Sequence, residues 1–192
     1  GKNELKSLIQ KSYNNFKNEE VVNLKKLGDI NLLELYNGPT LAFKDIAMQV
    51  IGNLYEHLKV AKEKSVNIVV ATSGDTGSAA IHAVNKSKNL NIYCLYPKNR
   101  ISEFQRRQMT TIHEDNVFTL RISGTFDDCQ DIIKKLFRDN ELNQRLNSWN
   151  LIGLLSVDLL KRFYNHLVEV SRPMRSRMLA SMKKNHSQIF PR

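Results

Sequence analysis

Between residues 66 and 137 the sequence repeats one pattern three times: a short β-branched run, a polar turn, then an amphipathic helical stretch. Val66–Ala71 leads through Thr72-Ser73-Gly74-Asp75-Thr76-Gly77 into a helix predicted from Ser78 to Asn85. Asn91–Tyr96 leads through Pro97 to a helix opening at Ser102, where Gln105 three residues on completes a capping-box signature. Val117–Ile122 leads through Ser123-Gly124 into a helix carrying Ile132, Ile133, Leu136 and Phe137. Strands that alternate with helices in this way build a parallel sheet with right-handed crossovers, so the pattern predicts an α/β fold with a three-layer core. Ligands on such sheets bind beyond the carboxyl ends of the strands, which puts the Thr72–Gly77 loop at the predicted site.

Upstream, Leu5, Leu8, Ile9, Tyr13 and Phe16 fall on one helical stripe, and Ile30–Leu35 reads as a short strand after a turn at Gly28-Asp29. Asn37-Gly38-Pro39-Thr40 carries turn chemistry. A helix is predicted from Asp45 to about Lys62, with Ala47, Val50, Ile51, Leu54 and Leu58 at helical spacing.

Charge divides the chain. Of the +10 formal charge over 192 residues, residues 149–192 contribute +6, from eight basic and two acidic side chains. The predicted organisation is therefore an enzyme-like domain over 1–148 and a basic, partly disordered tail over 149–192, in which Leu159, Phe163, Leu167 and Val170 could form one amphipathic helix. Such a tail attracts polyanions, and nucleic acid or an acidic partner is the alternative, non-enzymatic reading; no recognition motif or stacking platform accompanies it, so it ranks second. Two cysteines, Cys94 and Cys129, cannot make a disulfide framework. No run approaches the ~18–20 apolar residues of a membrane span, and the first residues lack a secretory core, so a soluble, reducing, cytoplasmic setting is the expectation. The five histidines have neither i, i+4 pairing nor cysteine partners, which leaves no metal-site reading.

Two segments bear chemistry. Lys44 follows Phe43 and directly precedes the helix predicted from Asp45. The positive helix end and lost hydration beside an aromatic ring both favour the uncharged amine, the form that attacks a carbonyl. On this segment alone, a solvated lysine at a helix start is the better reading. The second segment, Ala71 to Ala80, combines two glycines, several hydroxyls and the free N–H groups of a helix start, a cradle for carboxylate or phosphate. Asp75 is out of place in such a cradle unless its carboxylate turns elsewhere. Alone, the segment also describes any tight βα turn.

Together the segments are more specific. Glu34-Leu35-Tyr36-Asn37-Gly38-Pro39-Thr40-Leu41-Ala42-Phe43-Lys44-Asp45 closely resembles the segment carrying the cofactor lysine in threonine synthases. Ala71–Ala80, Leu95–Ser102, Gln108-Met109-Thr110-Thr111 and Gly124–Asp131 resemble that family's later motifs, in the same order, across roughly residues 4–147. The resemblance implies an enzyme of the tryptophan-synthase-β-like fold type that uses pyridoxal 5′-phosphate to convert O-phospho-L-homoserine and water to L-threonine and phosphate. It implies Lys44 as the Schiff-base lysine and proton shuttle, and Asp75 beside the cofactor's 3′-oxygen. It implies Ser73, Gly74, Thr76 and Gly77 around the substrate carboxylate. Arg100 is a candidate for the substrate phosphate, which a guanidinium matches bidentately, and a surface arginine is the equal alternative.

The resemblance breaks near residue 147. The family's glycine-rich loop for the cofactor phosphate has no counterpart in 149–192, which holds one glycine, Gly153; Asn147-Ser148-Trp149-Asn150 resembles a distorted form of a family run. The expectation is an incomplete threonine synthase, inactive alone.

Overall fold

The most apolar of the repeated strands becomes the middle of the sheet. The computed structural model describes residues 2–18, 20–57, 65–139, 141 and 151–154. In chain order these form α1 (Lys2–Tyr13), β1 (Asn23–Leu27), β2 (Ile30–Glu34), α2 (Lys44–His57), β3 (Val66–Ala71), α3 (Asp75–Val84), β4 (Leu90–Pro97), α4 (Glu103–Thr110), β5 (Val117–Ile122), α5 (Phe126–Arg138) and β6 (Leu151–Leu154). β3 is buried along its whole length. It pairs in parallel with β4 on one side and β6 on the other, and β5 extends the sheet beyond β4 in the order β5-β4-β3-β6. A strand buried on both faces needs no alternation, which is why Val66–Ala71 is apolar at almost every position.

Helices cover both faces of that sheet. On one, Met48 and Ile51 of α2 and Ala80 and Val84 of α3 surround a small gap with Ile68 and Ile92 of the strands. On the other, Val69, Ala71 and Leu95 pack against Cys129 and Ile133 of α5. Successive β3 residues thus serve opposite layers, as strand geometry requires. The three-layer α/β architecture predicted from the repeats is the one observed. α2 and α3 approach closely because Gly52 lies against Ala83, where an added Cβ would stand 2.8 Å from the Ala83 carbonyl oxygen. α1 docks on α2 mainly by polar contacts: Tyr13 Oη donates to the Ile46 carbonyl at 3.1 Å, and Asn53 Nδ2 donates to Ser12 Oγ at 3.2 Å. The apolar stripe predicted there is only partly used: Phe16, beyond the helix end, is buried, but Leu5 and Ile9 are exposed.

Three details differ from the sequence reading. Ile30–Glu34 is half of an antiparallel hairpin whose other strand, β1, is absent from that reading. β1 has no buried face, so its sequence carries no apolar alternation to read. The turn itself was legible: Gly28, at φ +59°, supplies the left-handed residue a two-residue hairpin needs. Second, α3 starts at Asp75, three residues before Ser78, so Thr76 and Gly77 belong to its first turn. Third, β6 falls on the far side of the 148/149 charge boundary, so the sheet runs across it.

The expected extension of α2 to Lys62, the Asn147–Asn150 run and the expectations for the basic tail beyond Leu154 lie outside the described residues. Among the described residues, no helix is long and apolar enough to cross a membrane.

Gly77 sits where α3 meets the sheet most tightly. A Cβ there would come within 2.5 Å of Thr72 Cγ2, 2.6 Å of Cys94 Sγ and 2.8 Å of Met109 Sδ. Gly77→Ala should therefore lose about 1–3 kcal/mol in urea unfolding, despite alanine's better helix propensity. Wild-type stability in that variant would contradict the close approach.

Candidate functional site

The site is built from two loops and the helix that ties them. The first, Asn37 to Lys44, is fixed by one buried threonine. Thr40 donates from its backbone N to Asp45 Oδ2 at 2.8 Å and from its hydroxyl to Asp45 Oδ1 at 2.7 Å, while its carbonyl accepts from Gln108 Nε2 at 2.8 Å. Every polar group of Thr40 is thereby committed. Gly38 lies flat on Asp45, where a Cβ would stand 2.4 Å from the Asp45 Cβ. Leu41 follows at φ +64°, a left-handed conformation that costs a leucine about 1–2 kcal/mol. Strain of this kind persists only where the surroundings over-determine the backbone, as the Thr40 and Gly38 contacts do here.

This loop delivers Lys44 as the first residue of α2. The lysine is half-buried, and its Nζ stands 4.9 Å from the Phe43 ring centroid, a cation–π distance. Among the described residues, no carboxylate pairs with it.

The second loop leaves β3 at its carboxyl end. Thr72, fully buried, accepts from the N–H groups of Gly74 at 2.9 Å and Gly77 at 2.8 Å through one hydroxyl oxygen. Gly74 is the N-cap residue of α3 and has no side chain, so Thr72, two residues earlier, makes the bond that a capping side chain ordinarily makes to the third helical residue. That bond is the reason the helix begins three residues before the sequence reading placed it. It also narrows the predicted anion cradle: the Gly74 and Gly77 amides are taken by Thr72, leaving those of Ser73, Asp75 and Thr76 as the loop donors not drawn to it.

α4 holds both loops. Gln105 Nε2 donates to Asp75 Oδ1 at 2.6 Å, and Gln108 makes the bond to the Thr40 carbonyl. Positions three apart lie on one helix face, about 5–6 Å between Cβ atoms, so the lysine-bearing loop and the Asp75 loop rest one turn apart on the same helix. The Asp75 carboxylate is thus engaged through Oδ1 by Gln105, on another helix. Arg100, exposed, sits in the turn after β4, and its charge acts on Asp128 at the start of α5, whose carboxyl is held low first by its bonds from Thr125 and then by that arginine.

Lys44, Ser73, Gly74, Asp75, Thr76 and Gly77 are thus brought to loops joined by α4, whereas the described contacts of Arg100 are with Pro97 and Asp128. Sequence reasoning missed Thr40, Asp45, Thr72 and Gln108 as site-builders. Gln105 was visible only as a helix cap, because its second partner lies 30 residues away.

Asp45 and His82 carry an electrostatic signature. Burial raises the Asp45 pKa, against the pull of the Thr40 bonds and of the His82 charge. Burial lowers that of His82, against the Asp45 charge. A carboxyl that keeps its proton longer in the folded state stabilises at low pH, and that stability is lost as pH rises from the ordinary carboxylate range through the raised value. Asp45→Asn retains both Thr40 contacts if the hydroxyl turns to accept, and removes the titration. The stability of the wild type relative to this variant should fall as pH rises above the ordinary aspartate value of about 4 in urea unfolding; a difference that stays flat or grows would contradict the burial argument.

No family model matches the chain. Individual proteins do. The chain is 46% identical over 157 residues to threonine synthase of Eremothecium gossypii, covering 75% of this chain and 31% of that protein. It is 39% identical over 191 residues to threonine synthase of Pseudomonas aeruginosa, covering 97% of this chain and 41% of that one, so this similarity runs past residue 148 into the basic segment. The crystal structure of pyridoxal-phosphate-bound threonine synthase from Brucella melitensis superposes with a TM-score of 0.70 at 38% identity, over 79% of this chain and 32% of that chain. The chain spans about a third to two fifths of the length of these relatives. Over the residues it shares with these proteins, it is a threonine synthase homologue.

Proposed function

We propose that this chain supplies the lysine-bearing part of a pyridoxal-phosphate site, and that the activity it serves is the conversion of O-phospho-L-homoserine and water to L-threonine and phosphate. The observation that carries the reading is the seating of the Lys44 and Asp75 loops on one face of α4. The residues fit the cofactor. Lys44 is an amine at a helix start, half-buried and unpaired by any described carboxylate, as a lysine that must attack an aldehyde has to be. Asp75 keeps Oδ2 outside its bond to Gln105, available to the cofactor's ring substituents. The remaining loop amides suit the substrate carboxylate.

When bound, pyridoxal phosphate acts as the electron sink that makes loss of phosphate from the γ-carbon and addition of water at the β-carbon accessible. Lys44 would hold the cofactor, and its amine would move protons at the substrate carbons. Thr40 and Asp45 keep that lysine at one point of the backbone while it cycles. The Ser73, Asp75 and Thr76 amides orient the substrate carboxylate. Arg100 is proposed for the substrate phosphate on the chemistry of its guanidinium, and the substrate's identity rests on the relatives.

The direct test is chemical trapping. Incubation with pyridoxal phosphate followed by borohydride should place a pyridoxyl group on Lys44, read by peptide mass spectrometry, in excess of about tenfold over exposed lysines such as Lys98. Lys44→Ala should abolish the site-specific label. Labelling spread evenly over surface lysines, with Lys44 unmodified, would refute the reading.

A further inference from the structure

Gln105 is more than a helix cap. Its Oε1 accepts from Ser102 N at 3.2 Å and Ser102 Oγ at 3.0 Å, and its own backbone N–H donates to Ser102 Oγ, closing a complete capping box at the start of α4. These bonds decide which end of the amide faces which way. A flipped amide would set NH2 against the Ser102 N–H and its oxygen against the Asp75 carboxylate, opposing donor to donor and acceptor to acceptor. With Oε1 committed to the cap, Nε2 is aimed at Asp75 Oδ1, 2.6 Å away. The side chain reaches across because residue 74 is glycine: a Cβ there would stand 2.3 Å from Gln105 Cδ. The helix cap and the loop carboxylate are therefore coupled through one amide.

We propose that Gln105 is the positioning residue for Asp75: anchored by Ser102, it draws the carboxylate out of the Ser73–Gly77 loop and leaves the loop amides to an incoming anion. The role in turnover rests on the proposed function, whereas the clasp itself does not. Without Gln105 the carboxylate is free to compete for the neighbouring amides of its own loop, Ser73 and Thr76, two of the three that Thr72 leaves uncommitted.

The sequence supplies a discriminating variant. Glutamate is as good as glutamine at the third position of a capping box, so Gln105→Glu keeps the cap and the helix while setting a carboxylate against Asp75. In the full chain without cofactor, that repulsion should loosen the loop, so hydrogen exchange at the Gly74 and Gly77 amides, which Thr72 holds within it, should quicken about tenfold, the loss expected when a charge-assisted hydrogen bond becomes a repulsion, with exchange in β3 and β4 unchanged. Adding Asp75→Asn restores a donor opposite the introduced carboxylate and should return both amides to wild-type exchange. The absorbance of bound pyridoxal phosphate, and its pH midpoint, should stay altered in that double variant, because the amide that replaces the Asp75 carboxylate brings no charge to the cofactor. A merely structural clasp would restore both readouts together. Unchanged exchange at Gly74 and Gly77 in the single variant, quickening spread evenly through the strands, or no recovery in the double variant overturns the proposal. Failure of the wild-type chain to take up pyridoxal phosphate would instead refute the proposed function, leaving the exchange results to decide the clasp.

Discussion

One hydroxyl group sets the geometry on which the site depends. Thr72 leaves the buried central strand and accepts two backbone N–H groups, from Gly74 and Gly77, through a single oxygen. That bond starts α3 early, presses Gly77 against Thr72, Cys94 and Met109, and leaves no space there for a side chain. The loop emerges rigid and short at the carboxyl end of β3. Everything downstream assumes that fixed edge. α4 reaches it through Gln105, and the same face of α4 reaches the lysine-bearing loop through Gln108.

The two loops are held by opposite strategies. The Asp75 loop is tightened by glycine: Gly74, at φ +135°, admits the Gln105 side chain, and Gly77 admits the sheet. The lysine-bearing loop instead contains a strained leucine, Leu41, and is stabilised by full satisfaction of Thr40 and by a buried carboxylate, Asp45. Burying Asp45 disfavours its charge, and the two bonds from Thr40 offset part of that cost. The residue beside it, Lys44, is thereby presented from a backbone with little freedom, as its proposed role of meeting a reacting atom repeatedly requires.

Local periodicity was enough to read the three repeats. Val66–Ala71 and Val117–Ile122 are strands at the predicted bounds, and the Ser102–Gln105 capping box is present in the fold. The hairpin strand Asn23–Leu27 was not legible, since a strand with both faces open to solvent has no reason to alternate. The start of α3 was misplaced because its cap comes from Thr72, outside the positions where capping residues are sought. The candidate site was legible in part: Lys44 and Asp75 stand out by residue type and by the motifs around them. Gln108 and Thr40, 68 residues apart, meet only through the fold. No local pattern carries that contact.

In the proposed function, the Lys44 loop and the Asp75 loop form one binding site. An amide chemical-shift map of the full chain titrated with pyridoxal phosphate tests it most directly. Residues 40–45 and 73–77 should shift together along one binding curve. Shifts confined to one of these loops, or to lysines elsewhere such as Lys86 and Lys88, would contradict it.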